Sequence, residues 1–182
     1  MKKEFVPHRL DVRALAQAGA TLSGQEPLAL YERLAADAQG PVEGVLVGWS
    51  ARGELRTAPG AAPEIWLHLQ VSTRLPLTCQ RCMGPMQALI GADRAFRFVA
   101  DEATAAALDE ELDEDVLVLD PDFNLRELIE DELLMAEPLV PRHEVCPVEV
   151  PLASSDDDFE AAAADKPNPF AALAQLRVGK GE

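Results

Sequence analysis

Aromatic residues are scarce in this chain, with two Trp, one Tyr and six Phe among 182 residues. With so few rings, core packing is expected to claim Trp49 and Trp66 before any surface that stacks bases could use them. No run of about 18 apolar residues occurs, which excludes a membrane-spanning helix. The opening stretch Met1-Lys2-Lys3-Glu4-Phe5-Val6-Pro7-His8-Arg9 lacks the apolar core of an export signal. Cysteine is sparse too: three is an odd set, and without export the thiols are expected to stay reduced or to bind metal. No phosphate loop stands out, and neither His8 nor His68 has a Ser or Cys neighbour in sequence to activate. These absences describe a cytoplasmic protein with no legible catalytic apparatus.

Positive charge is missing from one part of the chain. Residues 101–160 carry 2 Lys/Arg against 21 Asp/Glu, whereas residues 1–100 carry 11 against 9. Affinity for nucleic acid comes largely from Lys and Arg neutralising phosphates, so a chain of net charge −16 is expected to repel a duplex. An acidic block suits a basic protein instead, and ribosomal proteins are an abundant basic class. The run Asp109, Glu110, Glu111, Asp113, Glu114 and Asp115 is the candidate contact surface. It lacks the glycine and the alternating carboxylates of a calcium loop, and a solvated loop is its plainer explanation.

The periodicity predicts an α+β domain over residues 1–152. A short helix starts at Asp11 and ends at Gly19, and a second is predicted over Leu28–Asp37. Val42–Ser50 reads as a strand. Over Glu64–Val71, Ile65, Leu67, Leu69 and Val71 face one side while Trp66, His68 and Gln70 face the other. A third long strand is predicted over Met86–Val99, and Val116–Leu119 forms a short one. Strands with short links pair as an antiparallel meander, with helices packed on one side. Asn124 and Glu127 mark a capped helix start with Phe123 poised to staple onto Leu128; Leu125, Leu128, Ile129, Leu133 and Ala136 line one face. Glu127, Glu130 and Asp131 are predicted to point outward, and Pro138 to stop the helix. Residues 153–182 read as a flexible acidic and Ala-rich linker. It ends in Lys166-Pro167-Asn168-Pro169-Phe170, where a helical turn with an apolar stripe has the form of a docking peptide.

The three cysteines fall in two patches, Cys79-Gln-Arg-Cys82-Met-Gly84 and His143-Glu-Val-Cys146. Two thiols at this spacing, followed by a glycine expected to take the φ > 0 turn, suit a zinc knuckle. His143 and Cys146 would then complete a closed structural site with Cys79 and Cys82. Free thiols at a hairpin tip account for the same residues, as does a redox pair, although no βαβ pattern surrounds them.

The motifs Leu77-Thr-Cys79-Gln-Arg-Cys82, Glu130 through His143 with Cys146 after it, and Lys166 through Leu176 occur together in this order. In this the chain resembles the YceD family, the large ribosomal RNA subunit accumulation proteins. The resemblance implies a non-enzymatic bacterial cytoplasmic factor supporting synthesis, processing or stability of 23S ribosomal RNA, with no catalytic residues to carry over. The acidic charge implies that it acts through a basic ribosomal protein or a processing factor, with RNA contact indirect or weak. Two alternatives stand beside this. One is a direct RNA-binding module using Arg74, Arg81, Arg94 and Arg97 around the hairpin; the other is a zinc-dependent hydrolase or ribonuclease, which would need an open metal position.

Overall fold

The apolar alternation around Leu67 produces the central strand of a five-stranded sheet. The computed structural model describes residues 5–60, 62–109 and 115–149, together with Phe170. Strands β1 (Thr21–Pro27), β2 (Leu46–Arg56), β3 (Glu64–Thr78), β4 (Pro85–Val99) and β5 (Asp115–Val118) lie in sequence order across the sheet. The first four pair antiparallel as a meander. β5 departs from the expected pattern, pairing parallel to β4 with Phe98 beside Leu117. The reason is the link: helix α3 (Glu102–Asp109), which the sequence did not predict, carries the chain back before β5 starts.

Register sorts the faces. Val47, Trp49 and Ala51 on β2, Leu67, Leu69 and Val71 on β3, and Ile90, Phe96 and Phe98 on β4 form one buried cluster. Helices α1 (Val12–Ala18), α2 (Glu32–Asp37) and α4 (Leu125–Met135) complete that cluster with Leu15, Leu34, Leu125, Ile129 and Leu133. Each fully buried leucine contributes about 2 kcal/mol relative to exposure. Phe98 also meets Phe123 edge-on at 5.2 Å between ring centres. Gly53 explains how close α1 lies: a Cβ there would sit 2.6 Å from the backbone of Leu15 and Ala16. The other face is mostly polar. Trp66, predicted to point that way, is nevertheless buried, with the Arg56 guanidinium 3.9 Å over its ring and its indole N–H donating to Glu64.

Several local expectations change. The helix predicted over Leu28–Asp37 divides into a 3₁₀ turn (Leu28–Leu30) and α2, separated by the buried Tyr31. The first long strand runs later than predicted, 46–56, and β1 was not anticipated at all. Glu130 does not point outward. Its carboxylate is buried and accepts from the backbone N–H groups of Arg33 (2.8 Å) and Leu34 (3.3 Å), supplying the N-terminal cap that α2 lacks. Arg33 also reaches it through Nε at 2.9 Å. Asn124 caps α4 by accepting from the Arg126 N–H, while its own amide donates to Glu127. Glu127 therefore bonds the Asn124 side chain, in place of the backbone N–H of a reciprocal box.

The chain divides into two compact units, Met1–Cys146 and Pro147–Glu182. Of the second unit the described residues are Pro147–Glu149 and Phe170, all exposed. The expected boundary at 152 and the tail 153–182, Phe170 apart, lie outside the described residues. No helix among the described residues is long and apolar enough to cross a membrane.

Candidate metal centre

β3 and β4 are each 15 residues long and paired from Ile65–Phe98 to Thr78–Pro85, so their far end is a hairpin tip projecting Cys79–Gly84. The tip is closed by two backbone bonds, Met83 N–H to Cys79 C=O at 2.8 Å and Cys79 N–H to Gly84 C=O at 2.9 Å. The left-handed residue is Met83, at φ 57°, and not Gly84 as the sequence suggested. A non-glycine residue in that region costs about 1 kcal/mol or more, which the two closing backbone bonds help to offset.

The second half of the centre arrives after α4. Pro138 follows the helix, and the segment beyond it is fastened to the tip by the Gln80 N–H donating to the Pro141 carbonyl at 2.8 Å. That bond carries His143 and Cys146 to the hairpin. The Cys79 and Cys146 sulfurs are 4.0 Å apart, and Cys82 Sγ is 3.5 Å from His143 Nδ1. All four donor atoms lie within 4.8 Å of one another. A tetrahedral zinc with Zn–S bonds of about 2.3 Å and Zn–N of about 2.0 Å needs S···S edges of about 3.8 Å and S···N edges of about 3.5 Å. The two short edges match those values, and a thiolate-rich Cys3His donor set is the chemistry zinc selects. The residues present fit a structural zinc ion.

Electrostatics also prepare the site. Burial raises the Cys79 thiol pKa, but the backbone N–H groups of Cys82, His143 and Arg81 aimed at its sulfur outweigh this and bring it from 9.0 to about 5. One of these bonds, from the His143 N–H, spans 3.4 Å. The Cys146 thiol is pushed up, first by burial and then by the sulfurs of Cys82 and Cys79. The two thiols are thus shifted in opposite directions, Cys79 down and Cys146 up, and a metal held here would need both as thiolates.

All but the first residues of this hairpin, with the helix after it and the Cys/His pair beyond, lie within the segment 67–177, which matches the family model described as large ribosomal RNA subunit accumulation protein YceD. The chain belongs to the YceD family. The match covers more than half of the chain and ties it, by the family's description, to accumulation of large-subunit ribosomal RNA. α1, β1, α2 and β2 precede it. No solved structure matches the chain.

The remaining site residues predicted for this YceD-family chain are scattered. Among the hairpin arginines, Arg74 pairs across strands with Leu89 and Arg97 with Trp66 on the polar face, whereas Arg94 is opposite Leu69 on the helix-covered face. Arg97 is ion-paired with Glu64 at 2.8 Å, and Arg94 binds Asp115 through Nε at 3.1 Å. Arg81 is exposed at the tip. These four do not form one surface. Of the acidic run, Asp109 ends α3 exposed and Asp115 begins β5 in its pair with Arg94; Glu110, Glu111, Asp113 and Glu114 lie outside the described residues. Lys166, Pro167, Asn168 and Pro169 also lie outside them, and Phe170 is exposed. Two features had no sequence signal. Glu132 is buried on α4, and Glu26 of β1 accepts from both Arg126 and Tyr31, which lowers its pKa, chiefly through Arg126. Nothing in a Glu-rich helix distinguishes a buried carboxylate from a solvated one before packing.

Proposed function

We propose that this YceD-family protein is a non-enzymatic cytoplasmic factor that supports 23S ribosomal RNA accumulation by binding a basic component of large-subunit assembly through residues 101–122. The observation that carries it is the imbalance of 2 Lys/Arg against 21 Asp/Glu over residues 101–160. Such a field attracts cationic partners and raises their association rate at low salt. Pairing of Arg94 and Arg97 inside the chain supports indirect RNA contact, because paired guanidiniums are poor ligands for phosphate. In this reading zinc at Cys79, Cys82, His143 and Cys146 fastens the hairpin tip to the segment after α4. Four protein donors leave no open coordination position for hydrolytic chemistry, which favours a structural role. The motif Lys166–Phe170 supplies a second docking element.

The test reverses Asp109, Glu110, Glu111, Asp113 and Glu114 to lysine while leaving Asp115 in its pair with Arg94. Association with purified basic large-subunit proteins is expected to slow strongly with the fold unchanged. Cells carrying the variant are expected to show the large-subunit RNA shortage of cells lacking the protein. Full activity of the variant, or tight binding of the wild type to naked ribosomal RNA at physiological salt, would overturn the proposal. The latter result would favour Arg74 and Arg81.

A further inference from the structure

β5 is the last strand of the sheet, pairing with β4 alone among the described residues. Beside it, between β5 and α4, lies an open cavity of about 490 Å³ with Phe96, Leu117, Leu128 and Met135 in its wall. Val116 and Leu134 line it as well, and its polar lining groups are the carboxylates of Asp109, Asp115, Asp131 and Glu132. Asp115 is held by Arg94 and Asp131 by Arg33. Glu132 differs from both. It is 4% exposed, yet its carboxylate takes no hydrogen bond from the described residues, unlike the neighbouring buried Glu130. Arg94 attracts it through space, but Asp115 and Asp131 oppose that attraction, and burial holds its pKa above the ordinary carboxylate value. A mostly buried acid with no donor among the described residues, opening only onto a cleft, is poorly solvated and gains from a cation there. The strand edge beside it, unpaired among the described residues, offers backbone groups for another chain.

We propose that the cleft between β5 and α4 is a docking site for an extended cationic segment of a partner protein. The segment adds to the free edge of β5, seats an apolar side chain against Phe96, Leu128 and Met135, and places a Lys or Arg on Glu132. Charge complementarity selects the occupant: Glu132 and Asp109, with the arginine-paired Asp115 and Asp131 beside them, rim an apolar floor, so a basic strand with alternating apolar residues fits. The proposal rests on a basic partner but makes a narrower claim, since the acidic run could attract cations without any cleft.

The experiment uses the full-length, zinc-loaded chain and fluorescently labelled peptides of about nine residues, with binding followed by anisotropy and by amide shifts. One peptide alternates Lys and Val, a second has Gln for Lys, and a third has Ser for Val. The Lys–Val peptide is expected to bind and to shift the amides of 115–118 and 128–135, while the other two bind weakly. Glu132→Gln and Met135→Lys are each expected to weaken binding about tenfold, the loss typical of a central interface contact. Both variants should fold, because Met135 is 68% exposed and the Glu132→Gln change removes only a buried charge. Equal binding of the Lys–Ser peptide, or full affinity in both variants, would mean charge attraction alone and would overturn the cleft. If the wild type binds basic large-subunit proteins but none of the peptides, the cleft falls and the proposed function stands. Failure to bind either would remove both.

Discussion

Replacing Glu130 by alanine is expected to destabilise the protein by about 3 kcal/mol, because one buried carboxylate satisfies two helix N–H groups and a guanidinium. Its Oε1 accepts from the Arg33 and Leu34 N–H groups at 2.8 and 3.3 Å, and Oε2 from Arg33 Nε at 2.9 Å. A buried N–H left without an acceptor costs about 1–3 kcal/mol, and loss of a helix cap typically about 1. The Arg33 side chain is 52% exposed, so its ion pair adds no more than about 1 kcal/mol. For a domain of this size, about 3 kcal/mol corresponds to a fall in Tm of about 6–12 °C. Glu130→Gln keeps an oxygen for the α2 N–H groups and should cost about 1 kcal/mol, with Arg33→Ala below that. Urea unfolding followed by circular dichroism at fixed zinc measures all three. If Arg33→Ala costs as much as Glu130→Ala, the exposed ion pair carries the stabilisation and the capping argument is wrong.

Purified protein is expected to contain about one zinc per chain by elemental analysis, with loss in Cys146→Ser and a chelator-induced fall in Tm; zinc retained by a Cys79→Ser/Cys146→Ser double variant would refute the site. Gly53→Ala should cost about 1–3 kcal/mol or more, since the new Cβ meets Leu15 and Ala16 backbone at 2.6 Å and α1 must move off β2; hydrogen exchange should rise in α1 first. Glu132 gives a pH signature. Burial raises its folded pKa above the 4.5 of the unfolded chain, against attraction by Arg94 on β4 and with repulsion from Asp115 on β5 and Asp131 on α4. Its stabilisation is present below pH 4.5 and lost as pH rises through the folded value. Glu132→Gln should therefore stabilise the protein at pH 7 and give no gain at about pH 4, below the unfolded pKa; an equal gain at both would refute a buried carboxylate as its origin.

Period-two alternation around Leu67 and the Cys79–Cys82 pair specified a long hairpin with both thiols at its tip, because strand faces and turn position follow from neighbours a few residues away. The same holds for α4, whose cap at Asn124 and apolar stripe are local. By contrast, Thr21–Pro27 contains Ser, Gly, Gln, Glu and Pro, which favour no strand, and becomes β1 only because β2 offers an unpaired edge. The parallel pairing of β5 likewise depends on α3 carrying the chain back across the sheet. Glu130 and Glu132 are the same residue type as their solvated neighbours; packing of α2 against α4, and the cleft left between α4 and β5, decided that one caps a helix and the other faces a cleft. The sequence supplied the four donors Cys79, Cys82, His143 and Cys146 by residue type and spacing. Only the tertiary structure, through the Gln80–Pro141 bond, brought Cys82 and His143 to 3.5 Å across 61 positions, because no local propensity acts over such a separation.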